Sequence, residues 1–251
     1  MTQLANRCTL FLFLLLVFAA GCQKDGKDET ATGTIKISLQ HQVNSQPLVL
    51  ATNTYTNASG EQFTVTTFKY YLSNFSFTNT DGSVVKFPGK YYLVNEAVSE
   101  SKTISINKVP LGDYKSVSFT VGVDSVRNVS GAQTGALDPL NGMFWSWNSG
   151  YIMAKFEGTS PVSVANDHSL VFHIGGFKGE YNSLRNVTIA TAGINVPAKA
   201  HITLVADAAK WFGQPNAVSF KNIAAIHVPG ADAYKIADNY SKMFTSFTVA
   251  E

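Results

Sequence analysis

Thr34-Ile35-Lys36-Ile37-Ser38-Leu39-Gln40-His41 alternates polar and apolar residues without a break. A strict period of two puts Ile35, Ile37 and Leu39 on one face of an extended strand, the pattern of a half-buried β-strand, and His41 falls in the same phase. The period recurs along the chain. Lys115 to Val123 carries Val117, Phe119 and Val121 on one face. Thr64 to Phe77 is rich in β-branched and aromatic residues, interrupted at Ser73-Asn74. Shorter runs follow at Tyr91–Val94, Thr103–Val109, Tyr151–Phe156, Leu170–Ile174, Asn186–Ile189 and His201–Ala206. Turn residues separate them, among them Thr80-Asp81-Gly82 and Pro110-Leu111-Gly112-Asp113. Asp207 to Gly213 reads as one helical turn, capped by Asp207 and closed by Gly213. Ala231 to Thr245 carries Tyr234, Ala237, Tyr240 and Phe244 at helical spacing. Many short strands between frequent turns predict an all-β fold, an antiparallel β-sandwich with short helical turns. With no internal repeat and no second linker, residues 33–251 read as a single domain.

The beginning of the chain has another character. Residues 1–21 hold one basic residue, Arg7, followed by the apolar run Leu10–Ala20, too short to span a bilayer and built like a secretory signal. It ends Ala19-Ala20-Gly21-Cys22, which resembles the lipobox of bacterial lipoproteins, with Cys22 the lipidated residue. Gln23 rather than Asp after the cysteine points to the outer membrane, on its periplasmic or surface face. Residues 22–32 read as the lipidated cysteine and a flexible, charged tether. The chain has 2 cysteines, Cys8 and Cys22. Loss of the signal and lipidation leave none for a disulfide, a thiolate metal site or a nucleophile.

Removing Arg7 from 19 basic residues leaves 18 against 17 acids, a net charge of +1. Charge is balanced and no basic run occurs, so nucleic acid is not a partner. No G-x-S-x-G, phosphate loop or H-E-x-x-H is present, and carboxylates are scattered, so hydrolase chemistry has no nominee and no turnover is expected.

Chemistry concentrates in Gly131–Gly158, GAQTGALDPLNGMFWSWNSGYIMAKFEG. Trp145 and Trp147 stand one residue apart, between Met143 and Met153. An Asp138-Pro139 turn leads in, and Gly150-Tyr151 leads into a strand. Shared parity lets both indoles face one side, either as a site or as a plug at the end of a sandwich. Asp124, Asn128 and Asp138 suit turn capping better than a hard cation. Without thiolates, a soft or borderline metal needs imidazole, thioether or carboxylate donors. The imidazoles are His41, His168, His173, His201 and His227. Met143 is a thioether beside the tryptophans. His173 sits at a strand end before Gly175-Gly176, where nothing bulky shields it. A lone histidine is more often a hydrogen-bond donor to a loop carbonyl than a ligand.

Several of these elements recur together elsewhere. In order they are Phe68–Asn74 (FKYYLSN), Tyr92-Leu93-Val94, Pro110–Tyr114, Gly122-Val123-Asp124, Asn128, Gly135–Pro139, Met143–Tyr151 (MFWSWNSGY) and Phe172–Gly176 (FHIGG). The series resembles the MbnP-like family of periplasmic or surface copper-binding proteins associated with methanobactin systems, over roughly residues 33–247. The MFWSWNSGY block is its specific part. The resemblance implies a β-rich domain that binds copper with histidine help, and a tryptophan oxidised to kynurenine by a di-haem peroxidase-like partner. It makes Trp145 or Trp147 the candidate for modification, His173 a candidate ligand and His41 a second. Asp124, Asn128, Asp138 and Tyr151 are then loop-building residues. The expected role is copper acquisition or sequestration, with hand-over to an uptake system such as a TonB-dependent receptor. Two other readings are a lipoprotein whose tryptophan loop binds a partner without metal, and an electron-transfer partner or substrate of the di-haem enzyme.

Overall fold

The computed structural model describes residues 31–247 apart from Asn148, Ser149 and Lys199. Residues 1–21, read as a signal, and Cys22 with the expected tether as far as residue 30 lie outside the described residues.

β1 (Thr32–Val43) turns into the short β2 (Gln46–Pro47), and β3 (Tyr55–Thr56) leads into β4 (Gln62–Asn79). β5 (Val84–Asn95) returns along β4. β6 (Thr103–Pro110) and β7 (Gly112–Val121) follow, then a single turn of helix, α1 (Ser125–Asn128). A long loop holds β8 (Phe144–Trp145) and opens into β9 (Gly150–Thr159). Next come β10 (Ser169–Gly175), β11 (Arg185–Val196), β12 (His201–Asp207) and β13 (Ala225–Ile226). α2 (Ala231–Tyr240) and β14 (Phe244–Phe247) complete the described chain. β1 already begins at Thr32, one residue inside the stretch expected to be tether.

Two sheets form. One runs β14-β12-β1-β2, with β6 also on β1; the other runs β11-β7-β4-β9-β10-β13, with β3, β5 and β8 added. The all-β sandwich expected from the period of two is the fold. It is not wholly antiparallel, as the turns had suggested: β1 lies parallel to β12, and β10 to β13. Neither pair is joined by a short turn, so hairpin geometry does not dictate its direction. The tail helix stops at Tyr240, and Phe244 goes into a strand. Asp207 caps the turn Ala208–Phe212 by accepting from the Ala209 amide, as read from sequence. Among the described residues no helix is long and apolar enough to cross a membrane.

Between the sheets lies an aromatic core. Ile35, Ile37 and Leu39 face Phe68, Tyr70, Phe75 and Phe77, with Phe119, Phe156, Phe172, Trp211 and Phe212. The rings meet edge-on or tilted, as in Phe156–Phe212 at 4.9 Å and Phe119–Phe244 at 5.0 Å. These are the arrangements that ring quadrupoles favour.

The second sheet forks, and the fork positions the tryptophans. Lys69 and Tyr70 pair with Asn95 and Val94 of β5 and also with Lys155 and Ala154 of β9, so β5 and β9 take opposite edges of β4. Leu72 pairs with Tyr92 of β5 and with Val121 of β7. β7 and β9 therefore share one edge of β4 and meet near Tyr71. Gly150 and Tyr151 at the start of β9 instead pair with Trp145 and Phe144 of β8. The loop from Gly122 to Trp147 belongs to this fork.

Candidate functional site

The loop is held by its own polar side chains. Asp124 caps α1 by accepting from the Arg127 amide and also accepts from the Tyr91 hydroxyl at 2.5 Å. Buried Asn128 donates to the carbonyls of Val123 and Asp124 and accepts from the Tyr151 amide at 2.8 Å, tying the loop to β9. Tyr151 and Tyr71 donate their hydroxyls to the carbonyls of Leu137 and Ala136. Asp138 caps the turn Pro139–Asn141. The Asn141 and Gly142 carbonyls accept from Lys69 and Lys155. Asp124, Asn128, Asp138 and Tyr151 thus act through turn and loop hydrogen bonds.

These bonds close a second, smaller apolar cluster on the outer face of the forked sheet, formed by Tyr71, Val123, Leu137, Met143, Trp145, Tyr151, Ile152 and Met153. Trp145 is buried within it. Its indole lies against Gly175, where a Cβ would come within 2.4 Å of Cζ3. Trp147 is 62% exposed and packs its ring 5.6 Å from that of Trp145. Beside them opens a cavity of about 760 Å³, lined by Phe144, Trp145, Tyr151, Phe177 and Tyr181, with Lys178 and Glu180 as its charged groups.

His173 lies two residues before Gly175, on the strand that seats Trp145. Leu170, Phe172 and Ile174 point into the core, so His173 takes the outer face. Its Nε2 pairs with Glu157 Oε1 at 2.7 Å. Glu157 also accepts from Thr67 at 2.7 Å and has the Lys155 amine at 3.8 Å. The hydrogen bond from His173, helped by Thr67 and Lys155, outweighs partial burial and holds the Glu157 carboxyl at about 2. An ionised Glu157 can only accept, so Nε2 of His173 donates to it, and in that tautomer Nδ1 carries the lone pair. The His227 ring stands perpendicular to that of His173, with centroids 5.4 Å apart. Desolvation and the neighbouring His173 lower the His227 pKa, which favours its neutral, ligating form.

The depressed Glu157 predicts an acid response. A carboxylate held below its unfolded value of 4.5 stabilises the fold above that value, and the contribution is lost as pH falls toward about 2. The gap in urea midpoint between wild type and Glu157→Gln should be constant near neutral pH and shrink steadily below 4.5. A gap independent of pH would mean that the His173–Glu157 pair is not held in solution.

His41 is placed elsewhere. It is buried between the sheets, with Nδ1 on Glu96 at 2.5 Å and Nε2 on the Tyr70 hydroxyl at 2.7 Å. Both ring nitrogens are engaged, and the second sheet stands between His41 and His173. Met143 is fully buried in the outer cluster. The structure therefore does not gather His41, His173 and Met143 at one point. Among the described residues no group of three or more His, Cys, Asp or Glu side chains is arranged to hold a metal. The pair it does bring together is His173 and His227, supported by Glu157. Nothing local in the sequence marks His227 or Glu157 as partners of His173. Only the parity of Lys155 and Glu157 on β9 hinted that a carboxylate faced His173; cross-strand partners are not written in a single strand.

A family model described as MbnP matches residues 32–228. Among solved structures, MbnP from Methylosinus trichosporium superposes with a TM-score of 0.55 at 10% identity, over 80% of this chain and 83% of that one. At that identity the likeness is one of fold. No curated protein matches the chain. With its forked β-sandwich and a family match over most of its length, the chain belongs to the MbnP family.

Proposed function

We propose that this protein binds copper on the outer face of the forked sheet, with His173 and His227 as the imidazole donors, and serves copper acquisition or sequestration without turnover of its own. The observation that carries the reading is the perpendicular His173–His227 pair at 5.4 Å. Two imidazoles that share one ion at about 2 Å have ring centres no more than about 6 Å apart, so the pair fits. Imidazole suits copper, and a carboxylate behind a ligating histidine is its usual orienting partner. Trp145, seated on the strand of His173, and exposed Trp147 are the side chains open to oxidation by a di-haem peroxidase-like partner. Such oxidation would add an aromatic amine and a ketone at the tryptophan.

The start of β1 and the tryptophan loop lie at opposite ends of the sandwich. The chain enters the domain at Thr32, opposite Pro110. Gly112 beside it starts β7, and the tryptophan loop leaves the other end of that strand, about 30 Å away. With Cys22 lipidated in the outer membrane, the expected partners are a di-haem enzyme or a TonB-dependent receptor.

The test is copper retained after loading and desalting. Wild type should hold one copper per chain. His173→Ala and His227→Ala should each lower affinity at least about tenfold, because each removes one of two imidazole donors. His41→Ala should leave copper unchanged. Full retention in both outer-face variants would refute the assignment. The aromatic cavity beside Trp145 favours a second reading, a small-molecule site without metal. An unmetallated wild type whose Trp145 emission still responds to an aromatic ligand would support it.

A further inference from the structure

The core holds a polar chain that copper binding at His173 does not use. The Tyr70 hydroxyl meets His41 Nε2 at 2.7 Å, and His41 Nδ1 meets Glu96 Oε2 at 2.5 Å. Lys102 donates to both Glu96 oxygens, at 3.2 and 3.1 Å. Tyr70 is fully buried. Burial opposes ionisation of Glu96, but hydrogen bonds from His41 and Lys102 outweigh it, and its carboxyl lies below the ordinary value. An ionised Glu96 only accepts, so Nδ1 of His41 carries the proton. Nε2 is then the bare nitrogen, and Tyr70 donates to it. Burial lowers the His41 pKa and keeps the resting imidazole neutral.

We propose that Tyr70, His41 and Glu96 form a proton-coupled redox site, in which Tyr70 loses one electron while its phenolic proton passes to His41. The electron goes to a one-electron oxidant of the high-valent metal class. The O–H bond of Tyr70 breaks, an N–H bond forms at His41 Nε2, and a neutral tyrosyl radical faces an imidazolium. Glu96 remains ionised and offsets the new charge across Nδ1–H. One electron from a reductant, with return of the proton, restores the resting state.

Two features set this chain apart from a plain structural pin. First, a buried phenol cannot lose an electron and keep its proton without placing an unsolvated charge in the core, and His41 is positioned to remove that proton. Second, oxidisable rings lead from the surface to it. Exposed Trp147 lies 5.6 Å from Trp145. Trp145 shares the outer cluster with Tyr151, whose ring is 5.8 Å from that of Tyr71. Tyr71 is the residue after Tyr70, on the opposite face of the same strand. A hole made at Trp147 therefore has a path to a phenol with a waiting base. The inference does not depend on copper at His173.

The test is photo-oxidation of the full chain with ruthenium(III) tris-bipyridine, followed by freeze-quench electron paramagnetic resonance. Wild type should give a neutral tyrosyl radical with an exchangeable proton coupled to an imidazole nitrogen. Its formation should slow in heavy water. Tyr70→Phe removes one hydroxyl and keeps the ring packing, and should abolish this signal. His41→Gln should lower its yield at least about tenfold, because the positioned base is gone. Circular dichroism reports whether each variant is folded. An undiminished radical in folded Tyr70→Phe, or a wild-type radical without imidazole coupling, would overturn the proposal.

Discussion

Trp211→Ala is expected to lower stability by about 4 kcal/mol. Trp211 is fully buried in the turn after β12. Its ring lies 5.9 Å from Phe68, 5.8 Å from Phe156 and 5.3 Å from Tyr240, so it joins β4, β9 and α2. Alanine would leave a cavity walled by large rings on three elements that cannot collapse together. Against a typical net stability of about 5–15 kcal/mol, that loss is large. Trp211→Phe separates packing from polarity. The Trp211 Nε1 group is buried with no hydrogen-bond partner among the described residues. Phenylalanine removes that orphaned donor while filling most of the volume, so its cost should stay below about 1.5 kcal/mol. The measurement is urea unfolding of the three proteins. Equal losses in both variants would show that the indole nitrogen, not the ring volume, matters here.

Gly175→Ala is expected to cost about 3 kcal/mol and to dislodge Trp145. The new Cβ would lie 2.4 Å from Cζ3 and 2.7 Å from Cη2 of Trp145, and 2.9 Å from the Tyr151 carbonyl oxygen. The carbonyl belongs to the sheet and cannot retreat, whereas the indole can move into the cavity beside it. With Trp147 and Trp211 replaced by phenylalanine, Trp145 emission should shift to the red. If His173 holds copper as proposed, the substitution should also weaken copper retention there, two residues away. An unshifted spectrum with unchanged stability would mean that Trp145 does not pack on Gly175. The FHIGG segment thereby acquires a physical reason: His173 faces outward, Ile174 faces the core, and Gly175 leaves room for an indole.

The site is legible in the sequence where its chemistry is local. Asp124, Asp138 and Asp207 lie directly before short helical turns, and side-chain capping operates over two or three residues. Trp145 and Trp147 could be recognised as neighbours because one residue separates them. It is not legible where partners are far apart. Nothing near His41 announces that Glu96 and Tyr70 take both its nitrogens, and nothing near His173 names Glu157 or His227.

What the sequence determined alone is the class of fold and the place of the unusual loop. A period of two with frequent turns leaves alternating apolar faces that only packed sheets can bury. The MFWSWNSGY block marked where a loop would carry aromatic weight. Tertiary structure decided the rest. The parallel pairing of β1 with β12 joins strands more than a hundred residues apart, and no local pattern encodes it. The fork of β7 and β9 on one edge of β4 likewise depends on register among three strands. Strand parity already turns His41 inward and His173 outward; tertiary structure decides their partners, Glu96 and Tyr70 for His41 and Glu157 and His227 for His173. The physical reason is range: alternation and capping act within a few residues, whereas which imidazole meets which carboxylate is settled only when distant strands align.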